Sequence, residues 1–439
     1  MTESSVPPAK PSIPRVEPTV PAAKPGMLAP EGTSALLDLD YDGFDSSCEH
    51  VSCEDSGCGA VRTFRNGCSL WMRLDYLLWW TKGSRLPPLV TTSPVGDPPG
   101  ILGQANTETL FGGGLINGGA SSTYRLTLGY WLDACQTRGV EFEYFDLGKS
   151  SARFTQTSSG NPVLARPYDD VVSQGPSSEV IAYPGTAVGE VDARAFSYFG
   201  ALGVAYRRNW LCRRSCCGGC GDDRCGRPTC CDRRRTFRLD WTAGYRHYRL
   251  IDEVSVHEVV VSTNQGGQLP IGTMFDIRDR FHTANYFHGA ELGLIGSVQR
   301  GRWSMEMLAK MALGNNRREI AIDGSSVITV PGDNPVPYDA GLLALSSNVG
   351  RYASNDIVVI PQFGIELGYQ VTDGLRCYLG YDLIFWSRVA QAGDQIDLAV
   401  NPALIPPPVT PQGEIRPLFE LSQADFWAQG INLGLELQF

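Results

Sequence analysis

No run of 18 apolar residues occurs anywhere in the 439-residue chain, so no transmembrane helix is available and a membrane could be reached only by strands. Basic charge is in deficit: 37 Lys and Arg stand against 47 Asp and Glu, a formal net charge of −10. That balance argues against nucleic acid as a partner, because its phosphates would be repelled. Met1 to Pro30 is rich in Pro, Ala and Ser and lacks an apolar h-region, so no secretory signal is visible there. Histidine is scarce, at five residues. Four of them, His247, His257, His282 and His288, lie near Asp252, Glu253, Asp276 and Asp279. No spacing picks out a catalytic triad, which geometry rather than chain order defines. The chain is therefore read as a non-enzyme and these as solvated loop histidines. Gly112-Gly113-Gly114 and Gly118-Gly119 open no strand–helix unit, which argues against a phosphate-binding loop. No cofactor is expected.

What is present is alternation. From Trp427 the chain places Trp427, Gln429, Ile431, Leu433, Leu435, Leu437 and Phe439 at odd positions, with polar or tiny residues between them. Period two means a strand, with one apolar face and one polar face. An amphipathic strand ending on an aromatic residue resembles the C-terminal signature of outer-membrane β-barrels; it would also serve as the last strand of a soluble sandwich. The same format begins after residue 68, where Leu74, Tyr76, Leu78 and Trp80 oppose Arg73 and Asp75. Trp71 and Trp79 are expected there as girdle residues at opposite ends. It recurs at 122–132, where Tyr124, Leu126, Leu128 and Tyr130 oppose Arg125, and at 139–147, opposed by Glu141 and Glu143. Further repeats lie at 194–206, at 236–247 with Arg238, Asp240 and Arg246 on the polar face, and at 286–296 with Glu291. The remainder are 303–313 with Glu306 and Lys310, 359–370 with Glu366, and 375–386 with Arg376 and Asp382; Glu436 belongs to the terminal strand. Ten such strands of roughly 9–13 residues fit the ~9–11 a tilted membrane strand needs, and exceed the five or six usual in soluble β-proteins.

The connections alternate. Asp133–Arg138, Gln299–Arg302 and Val371–Gly374 are short, whereas 81–121, 149–193, 248–285, 314–356 and 387–424 are long. Short turns at one end and long loops at the other are the format of an outer-membrane barrel. The fold expected is thus all-β: a single antiparallel transmembrane-type barrel of about ten strands, within a range of 8–12. On this reading Arg73, Asp75, Arg125, Glu141, Glu143, Arg238, Asp240, Arg246, Glu291, Glu306, Lys310, Glu366, Arg376, Asp382 and Glu436 line the lumen. Unpaired charges would be costly in a dry core; in a lumen they can pair across strands or meet water. Their mixed signs suggest an internal salt-bridge lattice rather than a field selecting one ion type. An open sheet with one solvated face is the competing account.

Between residues 96 and 168 the chain carries more than a pattern. Gly96-Asp97-Pro98-Pro99-Gly100-Ile101-Leu102-Gly103, Leu110-Phe111-Gly112-Gly113 and Arg125-Leu126-Thr127-Leu128-Gly129-Tyr130-Trp131-Leu132-Asp133 resemble the planctomycete putative β-barrel porin family, the seventh so named. Gly139-Val140-Glu141-Phe142-Glu143-Tyr144-Phe145 and Pro162-Val163-Leu164-Ala165-Arg166-Pro167 fit it also. The resemblance covers 69–439. It implies an outer-membrane barrel in a diderm bacterium and supplies no catalytic residues.

Residues 1–45 read as a disordered Pro-rich segment, and 46–68 as a lead-in carrying Cys48, Cys53, Cys58 and Cys68. A Cys/Arg-rich insertion at 212–235 holds Cys212, Cys216, Cys217, Cys220, Cys225, Cys230 and Cys231. Together with Cys135 and Cys377, every cysteine maps to the turn end of the barrel. Disulfides within a periplasmic knob, zinc at Cys217-x-x-Cys220 and its neighbours, and a bridge to another protein from the odd thiol are the three readings. The partners expected are outer-membrane lipid and a disulfide-linked envelope protein.

The leading function is passive passage of small solutes. Ten strands with bulky charged lumen residues would be narrow or plugged, with the loop 81–121 as a candidate plug, because open channels are typical of sixteen strands or more. A non-conducting barrel anchoring the membrane to a Cys-rich envelope layer is the alternative. A soluble β-sandwich binding protein is the third reading.

Overall fold

In the computed structural model the described residues are 70–133, 135–216, 234–264 and 269–439. The Pro-rich segment 1–45, the lead-in with Cys48, Cys53, Cys58 and Cys68, and the centre of the insertion with Cys217, Cys220, Cys225, Cys230 and Cys231 lie outside them, as does the side chain of Cys216.

Ten long strands run in chain order: β1 Leu70–Thr81, β2 Ala120–Trp131, β3 Arg138–Ser158, β4 Ala187–Cys216, β5 Arg234–Ser262, β6 Met274–Arg300, β7 Trp303–Thr329, β8 Gly350–Gln370, β9 Leu375–Val389 and β10 Ala424–Gln438. Each pairs antiparallel with its sequence neighbour. The ring closes where β10 returns to β1, from Trp71 opposite Gln438 to Thr81 opposite Ala428. The Phe439 N–H extends that ladder by donating to the Leu70 carbonyl at 2.9 Å. In the lower half closure leaves no edge of unpaired amides, the condition for a sheet to lie in lipid; above it the ladder is open between β2 and β3 beyond Phe145 and between β8 and β9 before Gln362. Val336–Tyr338 is a short appendage on β7. Among the described residues no helix is long and apolar enough to cross a membrane.

The turns at one end are tight. Between β2 and β3 the Asp133 carboxylate accepts from the Thr137 and Arg138 N–H groups at 2.9 and 2.6 Å. Gly301 turns β6 into β7 with φ +62°, a conformation that glycine adopts without strain.

Side-chain direction follows the pleat. Near the turn end the outer face is a belt of exposed apolar residues, among them Leu74, Tyr124, Val204, Leu292, Met307, Phe363, Leu379 and Leu433. Trp71 and Trp79 do not belong to it, contrary to the girdle expectation: they are 5% and 0% exposed and face inward. They share parity with Arg73 and Asp75, and parity decides the face whatever the residue type.

The strands also run far past the expected ends. β4 spans 30 residues, β5 29, and β6 and β7 27 each. The expected third loop, 248–285, is mostly wall, with only 263–273 connecting β5 to β6. The cause is a reversal of polarity. On β5 the buried inner residues change from Asp240, Thr242 and Arg246 to Leu250, Val254, Val256 and Val260. The outer ones become Glu253, Ser255 and His257. The alternation continues with its apolar member on the other face.

The long loops fold into this upper interior. Val90–Thr92, Glu108–Phe111, Leu164–Asp170, Gly175–Ala182 and Ala399–Val400 form a five-stranded sheet. Its Val90, Phe111, Leu164 and Ile181 share one apolar core with the wall residues Val191, Val254, Phe281 and Ile322, and with Leu342, Leu343 and Leu345 from the β7–β8 loop. Asn285 of β6 pins the last loop by exchanging two hydrogen bonds with the Ala390 backbone, at 2.8 and 2.7 Å.

Candidate functional site

The interior of the barrel is where the sequence concentrates its unusual chemistry, and from the turn end upward it has three layers. The lowest is ionic. Arg73 of β1 reaches Glu306 of β7 at 3.2 Å, Glu366 of β8 at 3.4 Å and Glu436 of β10 at 3.0 Å. β1 and β7 are not neighbours in the ring, so the first of these contacts crosses the interior. Arg376 joins Glu436 at 3.0 Å and Glu366 at 3.9 Å. Arg125 of β2 pairs with Asp75 at 2.9 Å and, across the barrel, with Asp382 of β9 at 2.5 Å.

On the other side Arg246 holds Glu143 and Glu291, each at 2.6 Å, and Lys310 approaches Glu291 at 3.4 Å. Arg207 bridges Glu141 at 2.8 Å and Asp240 at 2.7 Å, and Arg238 meets Asp240 at 2.8 Å. All fifteen charged residues singled out from the alternating pattern thus lie in this layer, each with a partner of opposite sign.

Two members were absent from the sequence reading. Arg207 continues the inner parity of Ala201, Gly203 and Ala205 one step past residue 206, where strand four was taken to end. Tyr378, on the inner parity with Arg376 and Asp382, donates to the Asp75 carboxylate. Parity held both signals. Space for such bulk comes from glycine on the same face: a Cβ on Gly129 would lie 2.0 Å from the Trp71 ring, and one on Gly434 2.2 Å from Tyr378.

The middle layer is aromatic. Trp79, Phe145, Phe199, Tyr248, Phe287, Trp386 and Phe426 point inward from seven strands and are fully or almost fully buried. Phe199 of β4 meets Phe426 of β10 at a centroid distance of 4.9 Å and Trp386 of β9 at 6.5 Å, both across the interior. Trp79 packs on Phe145 at 5.4 Å, and Tyr248 on Phe287 at 6.0 Å. The Trp79 indole N–H donates to Asn432 at 2.6 Å, and Asn432 donates to Asp382 at 2.8 Å, which ties this disc to the ionic layer. Above the disc lies the apolar core of loops and upper wall.

Below the aromatic disc, open space lies at the turn end. A cavity of about 180 Å³ there is lined by Trp71, Trp131, Arg73, Arg238 and Gln438 among others. Arg207 and Arg238 lie over the Trp131 ring at 5.4 and 5.0 Å. Within the lattice the void shrinks to about 50 Å³, room for one or two waters at roughly 30 Å³ each.

The histidines are wall residues rather than loop residues. His247 and His288 stack on the outer face at 4.4 Å. His257 Nε2 lies 3.0 Å from Asp276, and His282 Nδ1 lies 3.3 Å from Glu253. Of the cysteines, Cys135 sits in the β2–β3 turn, Cys212 near the end of β4 and Cys377 near the start of β9, all toward the turn end. Cys377 is a free thiol, whereas Cys135 and Cys212 are not free. No group of three or more His, Cys, Asp or Glu among the described residues is arranged to hold a metal ion.

The family model described as Putative beta barrel porin-7 matches residues 71–439. No curated protein matches the chain. Among solved structures it is similar to the outer membrane protease OmpT from Escherichia coli, at 9% identity over 85% of this chain and 97% of that one, with a TM-score of 0.35. It is also similar to the P. putida toluene transporter TodX, at 9% identity, 87% and 92% coverage and a TM-score of 0.19. A Pseudomonas aeruginosa FadL homologue gives 8% identity, 85% and 90% coverage and a TM-score of 0.18.

Proposed function

The chain belongs to the beta barrel porin-7 family, as an outer-membrane barrel, and from that premise we propose that it works as a closed, non-conducting barrel that anchors the envelope. The observation that carries this reading is the aromatic disc, whose rings meet across the full width of the interior. Passive passage of small solutes needs a continuous water path. Here the cavity at the turn end stops at a lattice with about 50 Å³ of void. Small-diameter barrels are filled by their own side chains, and this one has loops in its upper half as well. The reading is of a non-enzyme.

As an anchor, the molecule would hold its folded loop head outside the membrane, its apolar belt in the outer-membrane lipid and its cysteine-bearing turns toward the periplasm. The partner proposed on that side is a disulfide-linked envelope protein. An oxidising compartment favours disulfides over free thiols. Purified folded protein in planar bilayers tests the closed state: silence is expected, and discrete open steps would restore passive passage. Isolated envelopes on reducing and non-reducing gels test the tether. A slower non-reduced species is expected, and identical monomer mobility in both lanes would remove the linked partner.

A further inference from the structure

The loop head contains an ionic cluster separate from the lattice below, and its charges do not balance. Arg166 and Glu179 are direct cross-strand partners in the hairpin of Leu164–Asp170 and Gly175–Ala182. Such a pair ordinarily forms a salt bridge. Here Arg166 turns both terminal nitrogens away, to Glu258 of β5 at 3.0 Å and Asp279 of β6 at 2.6 Å. Asp279 is satisfied further by the backbone N–H groups of Leu342, Leu343 and Ala344, at 3.1, 3.2 and 2.8 Å. Three carboxylates therefore surround one guanidinium. Glu258 is 0% exposed, and one of its oxygens, Oε2, has no hydrogen-bond partner. Glu179 Oε2 is likewise buried and unpartnered. A carboxylate left in that state is costly unless a proton or a cation joins it.

Beside it is room for one. A cavity of about 320 Å³ is lined by Glu179 with the polar Thr186, Ser262 and Asn264, and by apolar residues that include Val180, Val260 and Phe275. Its volume lies at the lower end of small-molecule sites, which combine apolar walls with few polar groups. The described residues offer no arrangement of ligands for a bare metal ion. We propose that this cavity binds a small organic cation, an ammonium or guanidinium on an apolar body, with Glu179 as its counter-ion and Phe275 among the walls that cover the body. The site is independent of whether the barrel conducts.

Protonation sets the pH dependence of the site. Burial pushes the Glu179 carboxyl up to about 8, with Glu258 and Asp279 raising it further and Arg166 opposing them. Tyr168 of the same hairpin also lies within its field. The empty site therefore keeps a proton on Glu179 at neutral pH, and an arriving cation replaces it. Affinity should rise with pH, by about tenfold per unit below 8, and level off above.

The test is calorimetric titration of the full-length barrel in detergent with benzylammonium chloride, using benzyl alcohol and calcium chloride as controls, between pH 6 and 9. Saturable benzylammonium binding is expected, at least tenfold tighter than the alcohol and tightening with pH. Glu179→Gln should weaken it tenfold or more and flatten the pH profile, with the heat-modifiable gel mobility of a folded barrel retained. Val180→Trp, which fills the cavity and keeps the carboxylate, should also abolish it, and this decides the matter should the Gln variant fail to fold. Absence of saturable binding, equal affinity for the alcohol, preference for calcium, or wild-type affinity in the variants would each overturn the proposal.

Discussion

Near the turn end β5 shows Phe237 and Tyr245 to the outside and buries Asp240, Thr242 and Arg246; near the loop end it shows Glu253 and His257 and buries Val254, Val256 and Val260. β7 does the same. Met305, Met307, Met311 and Leu313 are exposed at one end, while Arg317, Glu319 and Asp323 face outward at the other, where Ile320 and Ile322 are buried. One continuous ladder of backbone hydrogen bonds thus serves two solvents. In the lower half lipid takes up the apolar side chains and the charges must find each other inside. In the upper half water surrounds the wall, and the interior gains stability from apolar burial, as in any soluble protein. The difference teaches that a strand's exposed face is set by what lies outside it and not by the fold.

Substitutions can break or sharpen this contrast. The largest effect expected is all-or-none: Phe199→Ala with Trp386→Ala removes the centre of the disc and should turn silence in planar bilayers into measurable conductance. Continued silence would place the barrier in the loop core instead. Next comes Arg246→Ala in the lower half, which strands Glu143, leaves Glu291 with Lys310 alone and should cost about 3–5 kcal/mol, read as a lower urea midpoint for the folded barrel in micelles. In the upper half the matching loss is apolar: Leu343→Ala should cost about 2–5 kcal/mol and make the loop head sensitive to protease while the belt still partitions into detergent. Leu292→Arg places a charge on the belt and should cost about 2–4 kcal/mol near mid-membrane, seen as reduced insertion into vesicles. Smallest is Arg317→Ala on the upper outer wall. There an exposed pair with Glu319 at 2.8 Å contributes under about 1 kcal/mol, and the midpoint should hardly move.

Most of the lower half was legible, Arg207, Tyr378, Trp71 and Trp79 excepted. Each of the ten alternating segments lies on a wall strand, because lipid outside and charge inside give a strong period-two pattern with a constant sign. The upper half was not legible, because the sign reverses near Tyr248. A reading that follows the outward apolar parity sees Leu250, Val254 and Val256 as a break and assigns a loop. The loop sheet was also hidden, since strands such as Val90–Thr92 and Ala399–Val400 are too short to show a period. Trp79 was misplaced by weighing residue type above position. Ring closure was a consequence of the backbone's need in lipid; the disc was not foreseen, because it comes from seven strands that each contribute one ring.

The reversal near Tyr248 also acts as a waterline. A barrel of uniform polarity could ride higher or lower in its membrane at little cost. Here sinking by two residues, about 7 Å of strand, would drag Arg317 and its neighbours toward hydrocarbon, and rising by as much would lift Leu313 at the top of the β7 belt into water. The molecule's draught is therefore written into its side chains, and the head it carries stands at a fixed height above the membrane.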